Sequence, residues 1–186
     1  MKIKFLFSTA AMLALFVASV SSSTSLSTRQ SKPANPPTEA CDIDAYMIED
    51  DPNGLNVRSG PGKDYPVIAV LPKKEEPNLI HISGASGAWV RIAMAETLEG
   101  EPLFNGTGYV FASKLATSIR PDGAGGYQAR IFQQANLKSK VVTRIPAESE
   151  VLIIGCAGKW AQVQSKSIKG WLSPNGQCPN PVTTCP

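Results

Sequence analysis

One pattern, G-x-x-G-x-W-x-x-[IV], occurs twice in this chain without a gap. The copies are Gly84-Ala-Ser-Gly-Ala-Trp89-Val-Arg-Ile92 and Gly155-Cys-Ala-Gly-Lys-Trp160-Ala-Gln-Val163. The surroundings recur in the same order. An apolar run precedes each copy (Leu79 to Ile82, Val151 to Ile154), and an earlier apolar run ends in proline (Val67 to Pro72, Val141 to Pro146). A Gly-aromatic-apolar step follows each, Gly108-Tyr109-Val110 and Gly170-Trp171-Leu172. A chain that repeats its landmarks in this way is built from two copies of one supersecondary unit.

The runs are short, β-branched and bounded by Gly or Pro, the pattern of buried strands. Gly84 to Gly87 and Gly155 to Gly158 read as tight turns that need positive φ. Alternation after the first turn puts Trp89 and Arg91 on one face and Val90 and Ile92 on the other. No mature segment shows a helical period. The expectation is all-β, with two small barrels in tandem, each of about five short strands closed so that its edges are protected.

The rest of the chain frames the two copies. Lys2 and Lys4, the apolar run Phe5 to Val20 and the small residues after it read as a signal peptide over 1–22, too short and wrongly flanked for a membrane span. Residues 23–40 are Ser, Thr and Pro with little apolar content, which predicts a flexible tether. The first module then spans 41–118, a Pro- and Gly-containing linker 119–126, and the second module, with its tail, 127–186. The insertion Ala93 to Thr107 and the shorter Gln164 to Lys169 both read as hairpin loops, with Asn105-Gly106 as a turn. Charge divides between the halves: residues 41–118 hold six Lys or Arg against eleven Asp or Glu, a net −5, and residues 125–186 hold seven against two, a net +5. Cys41, Cys156, Cys178 and Cys185 are an even set in an exported chain and predict disulfides. Cys178 with Cys185 would close the tail; Cys156 with Cys178, the preferred pairing, would clip the chain end to the second module.

Before the first Trp turn stands Leu55-Asn56-Val57-Arg58-Ser59-Gly60-Pro61-Gly62. With the landmarks behind it, this string resembles the bacterial SH3-like domain of exported, wall-associated proteins, over residues 45–115. The second unit resembles it less. Aligning Arg130 with Arg58 replaces S-G-P-G by Ile131-Phe-Gln-Gln-Ala-Asn136 and lengthens the loop before Val141 by two residues. The resemblance implies a secreted, periplasmic or envelope-associated binding protein whose ligand is peptidoglycan or another envelope component. A module that recruits or regulates an envelope protein is the alternative.

Catalysis is not expected. His81, the one histidine, sits inside a predicted strand with no partner pattern, and the cysteines are taken to be oxidised. Glu49-Asp50-Asp51 and Glu75-Glu76 read as solvated turn carboxylates. Asp50, Asp51 and Asn53 lack calcium-loop spacing, and no zinc pattern exists. No cofactor, metal, nucleic acid or lasting membrane insertion is expected, and the protein is taken as a monomer. The ligand candidates are Tyr46, Arg58, Tyr65, Trp89 and Tyr109, with Tyr65, beside Pro66, expected to be exposed.

Overall fold

Alternation and turn residues together define the strands. Along Leu79–Ser86 and Trp89–Glu96 the side chains alternate between half-exposed and buried, with Ile80, Ile82, Val90 and Ile92 turned inward as the pattern predicts. Gly87 (φ 59°) and Gly158 (φ 53°) occupy the left-handed region in the two turns before the Trp residues. The structure, a computed structural model, describes residues 38–123 and 125–182. The expected signal peptide, nearly all of the tether and Cys185 lie outside the described residues.

Thirteen strands lie on one hydrogen-bonded ladder among these residues. The first copy contains β1 (Glu39–Met47), β2 (Leu55–Arg58), β3 (Val67–Leu71), β4 (Leu79–Ser86), β5 (Trp89–Glu96), β6 (Pro102–Phe111) and β7 (Leu115–Ile119). The second continues with β8 (Gln128–Phe132), β9 (Val141–Pro146), β10 (Glu150–Ala157), β11 (Trp160–Ser165), β12 (Ile168–Leu172) and β13 (Gln177–Cys178). The ladder runs β3-β2-β6-β5-β4-β1-β7-β10-β11-β12-β8-β9, with β13 also on β7.

This order shows that β7 belongs to both copies. It follows the 3₁₀ turn Ala112–Lys114 and pairs with β1, just as β13 follows the turn Pro174–Gly176 and pairs with β7. It also pairs with β10 as β1 pairs with β4. Ala116 faces Tyr46 on one edge and Leu152 on the other; Ser118 faces Cys178 and Glu150. The strand that ends the first module therefore begins the second, and the segment expected to join two separate barrels starts as a shared strand.

The two expected modules do not stand apart. Both edges of β7 are occupied, and the ladder runs on through it to end at β3 and β9. The cores merge instead: Ile43, Met47, Leu115 and Ile119 at the seam pack in one cluster with Val57, Ile80 and Ile92 on one side and Ile131, Ile153 and Leu172 on the other. The insertion 93–107 is a hairpin whose arms extend β5 and β6, with Met94 opposite Asn105 and Ala95 opposite Phe104. Asn105 and Gly106 therefore lie within a strand, not a turn.

Strand β1 carries no strand signature in the sequence, and its first residues, Glu39 and Ala40, fall in the expected tether; they pair instead with Ala85 and Gly84. Its start also reaches the second module. Asp42 N–H donates to the Gly158 carbonyl at 2.8 Å, and Gly158 N–H donates to the Ala40 carbonyl at 3.0 Å. This brings Cys41 to Cys156, with Cα atoms 5.8 Å apart, and the two form a disulfide. The preferred Cys156–Cys178 pairing is thereby corrected: β7 separates β13 from β10, and Cys156 is held by the strand before the repeat. Cys178 is disulfide-bonded as well.

Tyr46 anchors the seam. Its ring is 2% exposed, and its hydroxyl lies 3.1 Å from Ser118 Oγ and donates to Glu150 Oε2 at 3.0 Å. Burial, with Glu150 adding to it, raises the phenol pKa far above its ordinary value.

Two predictions follow from the seam. The disulfide closes a sequence separation of 115 residues, and its chain-entropy contribution is about 4–5 kcal/mol. The Cys41→Ser/Cys156→Ser protein should lose a large part of that in denaturant unfolding; unchanged stability would show that the shared strand suffices. For Tyr46, the unfolded phenol ionises near pH 10 while the folded one stays neutral, so its stabilisation is full below pH ~10 and is lost as pH rises further. Thermal unfolding from pH 9 to 11 should show a steeper fall for the native chain than for Tyr46→Phe.

Candidate ligand-binding cleft

The loop after β2 is built around one arginine and two glycines. Arg58 Nη1 donates to the carbonyls of Lys63 (3.0 Å) and Tyr65 (2.8 Å), tying the far side of the loop to the strand end. A Cβ at Gly60 would fall within the Tyr65 ring, and one at Gly62 would lie 3.2 Å from it. The S-G-P-G string is therefore glycine-rich because Tyr65 packs against its backbone. Tyr65 is half-buried for the same reason, not exposed as expected.

Trp89 opens β5 opposite Phe111 at the end of β6, and their rings meet edge to face at 5.6 Å and 71°. Beside them the strand end Leu55 to Arg58, Lys63 and Lys114 complete a cleft of 340 Å³, with Glu49 and Asp51 on its rim. Glu49 is not a solvated turn residue. Its side chain is only 10% exposed and its Oε1 accepts from Lys114 Nζ at 3.0 Å and from Asp51 N–H at 3.1 Å. Burial raises its pKa, but the Asp51 N–H and the Lys114 ammonium together outweigh this and hold the carboxyl below its usual range. The Asp51 carboxylate, bonded by the Asn53 backbone and side-chain amides, is also lowered.

Of the five expected ligand residues the cleft gathers two, Arg58 and Trp89. Tyr46 is buried in the seam, and Tyr109 is 5% exposed with its hydroxyl 3.4 Å from Thr38 Oγ1. Sequence reasoning missed Phe111 and Lys114. Their approach to Trp89 depends on the β5–β6 register, which the long insertion hid. His81 lies on β4 with Nδ1 2.8 Å from Asp44 and Nε2 3.7 Å from Asp42, a cross-strand pairing outside the cleft. Among the described residues no group of three or more His, Cys, Asp or Glu side chains is placed to hold a metal ion.

The second module keeps the loop but not the arginine. Phe132 faces Trp171 and Val141 as Arg58 faces Tyr109 and Val67, so Phe132, not Arg130, is the counterpart of Arg58. The two loops then have equal length, without the expected two-residue extension. Their backbone bonds also agree. Ser59 N to Pro66 O (3.0 Å) corresponds to Gln133 N to Lys140 O (2.8 Å), and Gly62 N to Gly60 O (3.0 Å) to Asn136 N to Gln134 O (2.7 Å). Phe132, 1% exposed, meets Trp160 edge-on at 5.6 Å, and the Arg130 guanidinium lies over Phe132 at 5.3 Å while bonding Asp122 at 2.7 Å. An apolar ring thus fills the place where the first module presents an arginine.

The bacterial SH3 domain family matches residues 53–116 and 128–176. This chain belongs to the bacterial SH3 domain family. The two matches cover both copies, in keeping with tandem SH3-like modules. Among solved structures, NlpC2 and NlpC1 from Trichomonas vaginalis are similar at 12% and 11% identity, each with a TM-score of 0.31. They cover 74% and 77% of this chain, which spans about half (48%) of each of theirs. No curated protein matches the sequence.

Arg58→Ala should release the Lys63 and Tyr65 carbonyls at a cost of about 1–2 kcal/mol. Hydrogen exchange should accelerate between Ser59 and Tyr65; unchanged exchange there would show that Tyr65 packing alone holds the loop.

Proposed function

We propose that this chain is an exported, non-catalytic binding protein whose first module holds part of a cell-envelope polymer, peptidoglycan foremost, in the Trp89 cleft. The observation that carries this reading is the Trp89–Phe111 pair standing beside Arg58, Lys63 and Lys114 in an open cleft on an SH3-like module. Ring faces give a surface on which sugars or apolar side chains lie flat, and the cations attract carboxylates. Family membership and the Cys41–Cys156 disulfide are consistent with an extracellular or envelope setting. Among the described residues no helix is long and apolar enough to cross a membrane. The absence of catalysis remains part of the proposal: His81 is engaged by two carboxylates away from the cleft, and Cys41 and Cys156 are joined.

A second reading, recognition of an envelope protein, is favoured by the open edge of β3, where Val67, Ile68 and Val70 are 44%, 49% and 47% exposed. Such an edge accepts a partner strand.

Sedimentation with purified peptidoglycan separates the two. The native mature protein should co-sediment, and Trp89→Ala should weaken binding about tenfold, the loss of about 1.4 kcal/mol of ring contact. Weakening above about 0.3 M salt would mark the charged part of the interaction. No co-sedimentation at low salt would sink the peptidoglycan reading and favour a protein partner.

A further inference from the structure

A second cleft adjoins the first across the module seam. Its volume is 420 Å³, and its walls come from Ala88 and Ser113 of the first module and Ile154, Gln162 and Lys169 of the second. Phe111 lines both clefts and is 37% exposed, so it forms a shared ridge. The shared strand and the merged core hold the arrangement rigid. Ala112 N–H donates to the Ala88 carbonyl at 2.9 Å, which sets the 3₁₀ turn against the β4–β5 turn, and β7 runs directly from that turn into the second sheet. Gly155 adds to this: a Cβ there would stand 2.8 Å from Gln162 Oε1, so the glycine makes room for that side chain.

We propose that the two clefts are one binding groove, completed by Gln162 and Lys169 of the second module, and that its occupant is an extended peptide bearing carboxylates at both ends. The inference rests on the peptidoglycan reading and gives that site its far end. Charge supports it. Glu49 is matched by Lys114 within the first cleft and Asp51 accepts from the Asn53 amides, whereas Lys63 in the first cleft and Lys169 in the second form no ion pair among the described residues. Lys63 and Trp89 line the first cleft, Lys169 lines the second, and Phe111 lines both. A strand with a carboxylate for each lysine and an apolar stretch for the ring that both clefts share is complementary to that set. It also assigns the second module a role that does not need a counterpart of Arg58, consistent with Phe132 filling that place.

The test uses the full mature protein and two probes, soluble stem-peptide-bearing peptidoglycan fragments and tetraglutamate, with affinities from calorimetry. Lys169→Glu should weaken fragment binding about tenfold and Gln162→Ala by several-fold. Lys138→Glu, the same charge change on an exposed loop outside the groove, should alter it less than about twofold. Equal effects of Lys169→Glu and Lys138→Glu, alongside a large loss in Trp89→Ala, would overturn the shared groove and leave the first-module site standing. Binding of tetraglutamate that depends on Lys63 and Lys169, with no affinity for the fragments, would overturn the peptidoglycan reading and keep the groove. Failure of both probes to bind overturns both.

Discussion

Strand β7 is hydrogen-bonded along both edges, to β1 and β13 on one and to β10 on the other, and the rest of the molecule depends on this double use. A strand offers only two edges, and with both in use the two sheets cannot part at β7. The modules cannot swing about a linker either, because moving one against the other would break a ladder inside a merged core. The disulfide and the Tyr46 hydroxyl act on the same junction, one fixing β1 to β10 and the other joining Tyr46 to Ser118, the residues that occupy equivalent places in the two copies.

This junction gives the surface its shape. The 3₁₀ turn before β7 carries Ala112 and Ser113, and Phe111 immediately precedes it. The residue at the mouth of the first cleft is thus attached to the strand that orients the second module, and a ligand lying over Phe111 meets both. The charge division between an acidic and a basic half takes on a local meaning there, because Glu49 and Asp51 line the cleft on one side of Phe111 and Lys169 the cleft on the other.

The two copies show how a loop can be retained while its chemistry is replaced. Residues 59–66 and 133–140 share backbone hydrogen bonds but almost no side chains. In one, Arg58 ties the loop carbonyls from a half-exposed position; in the other, the buried Phe132 packs against Trp160. The backbone pattern is satisfied by either, since turn geometry asks only for compatible φ/ψ and bonded amides, while the cleft depends on which side chain the strand end presents.

The sequence by itself determined the repeat, the all-β class, the inward faces of β4 and β5, and family membership through Leu55 to Gly62. These follow from local chemistry, the two-residue period of strands and the turns that require glycine. Only the tertiary structure decided the rest. Aligning Arg130 with Arg58 was wrong by two residues, and a two-residue shift leaves every side chain on the same face, so alternation carries no signal against it. Strand β1 lies ahead of the repeated landmarks, which left Cys41 without a visible partner and Tyr46 misread as a ligand residue. The sharing of β7 is a property of which edges pair, and pairing between distant segments is written in no short stretch of sequence.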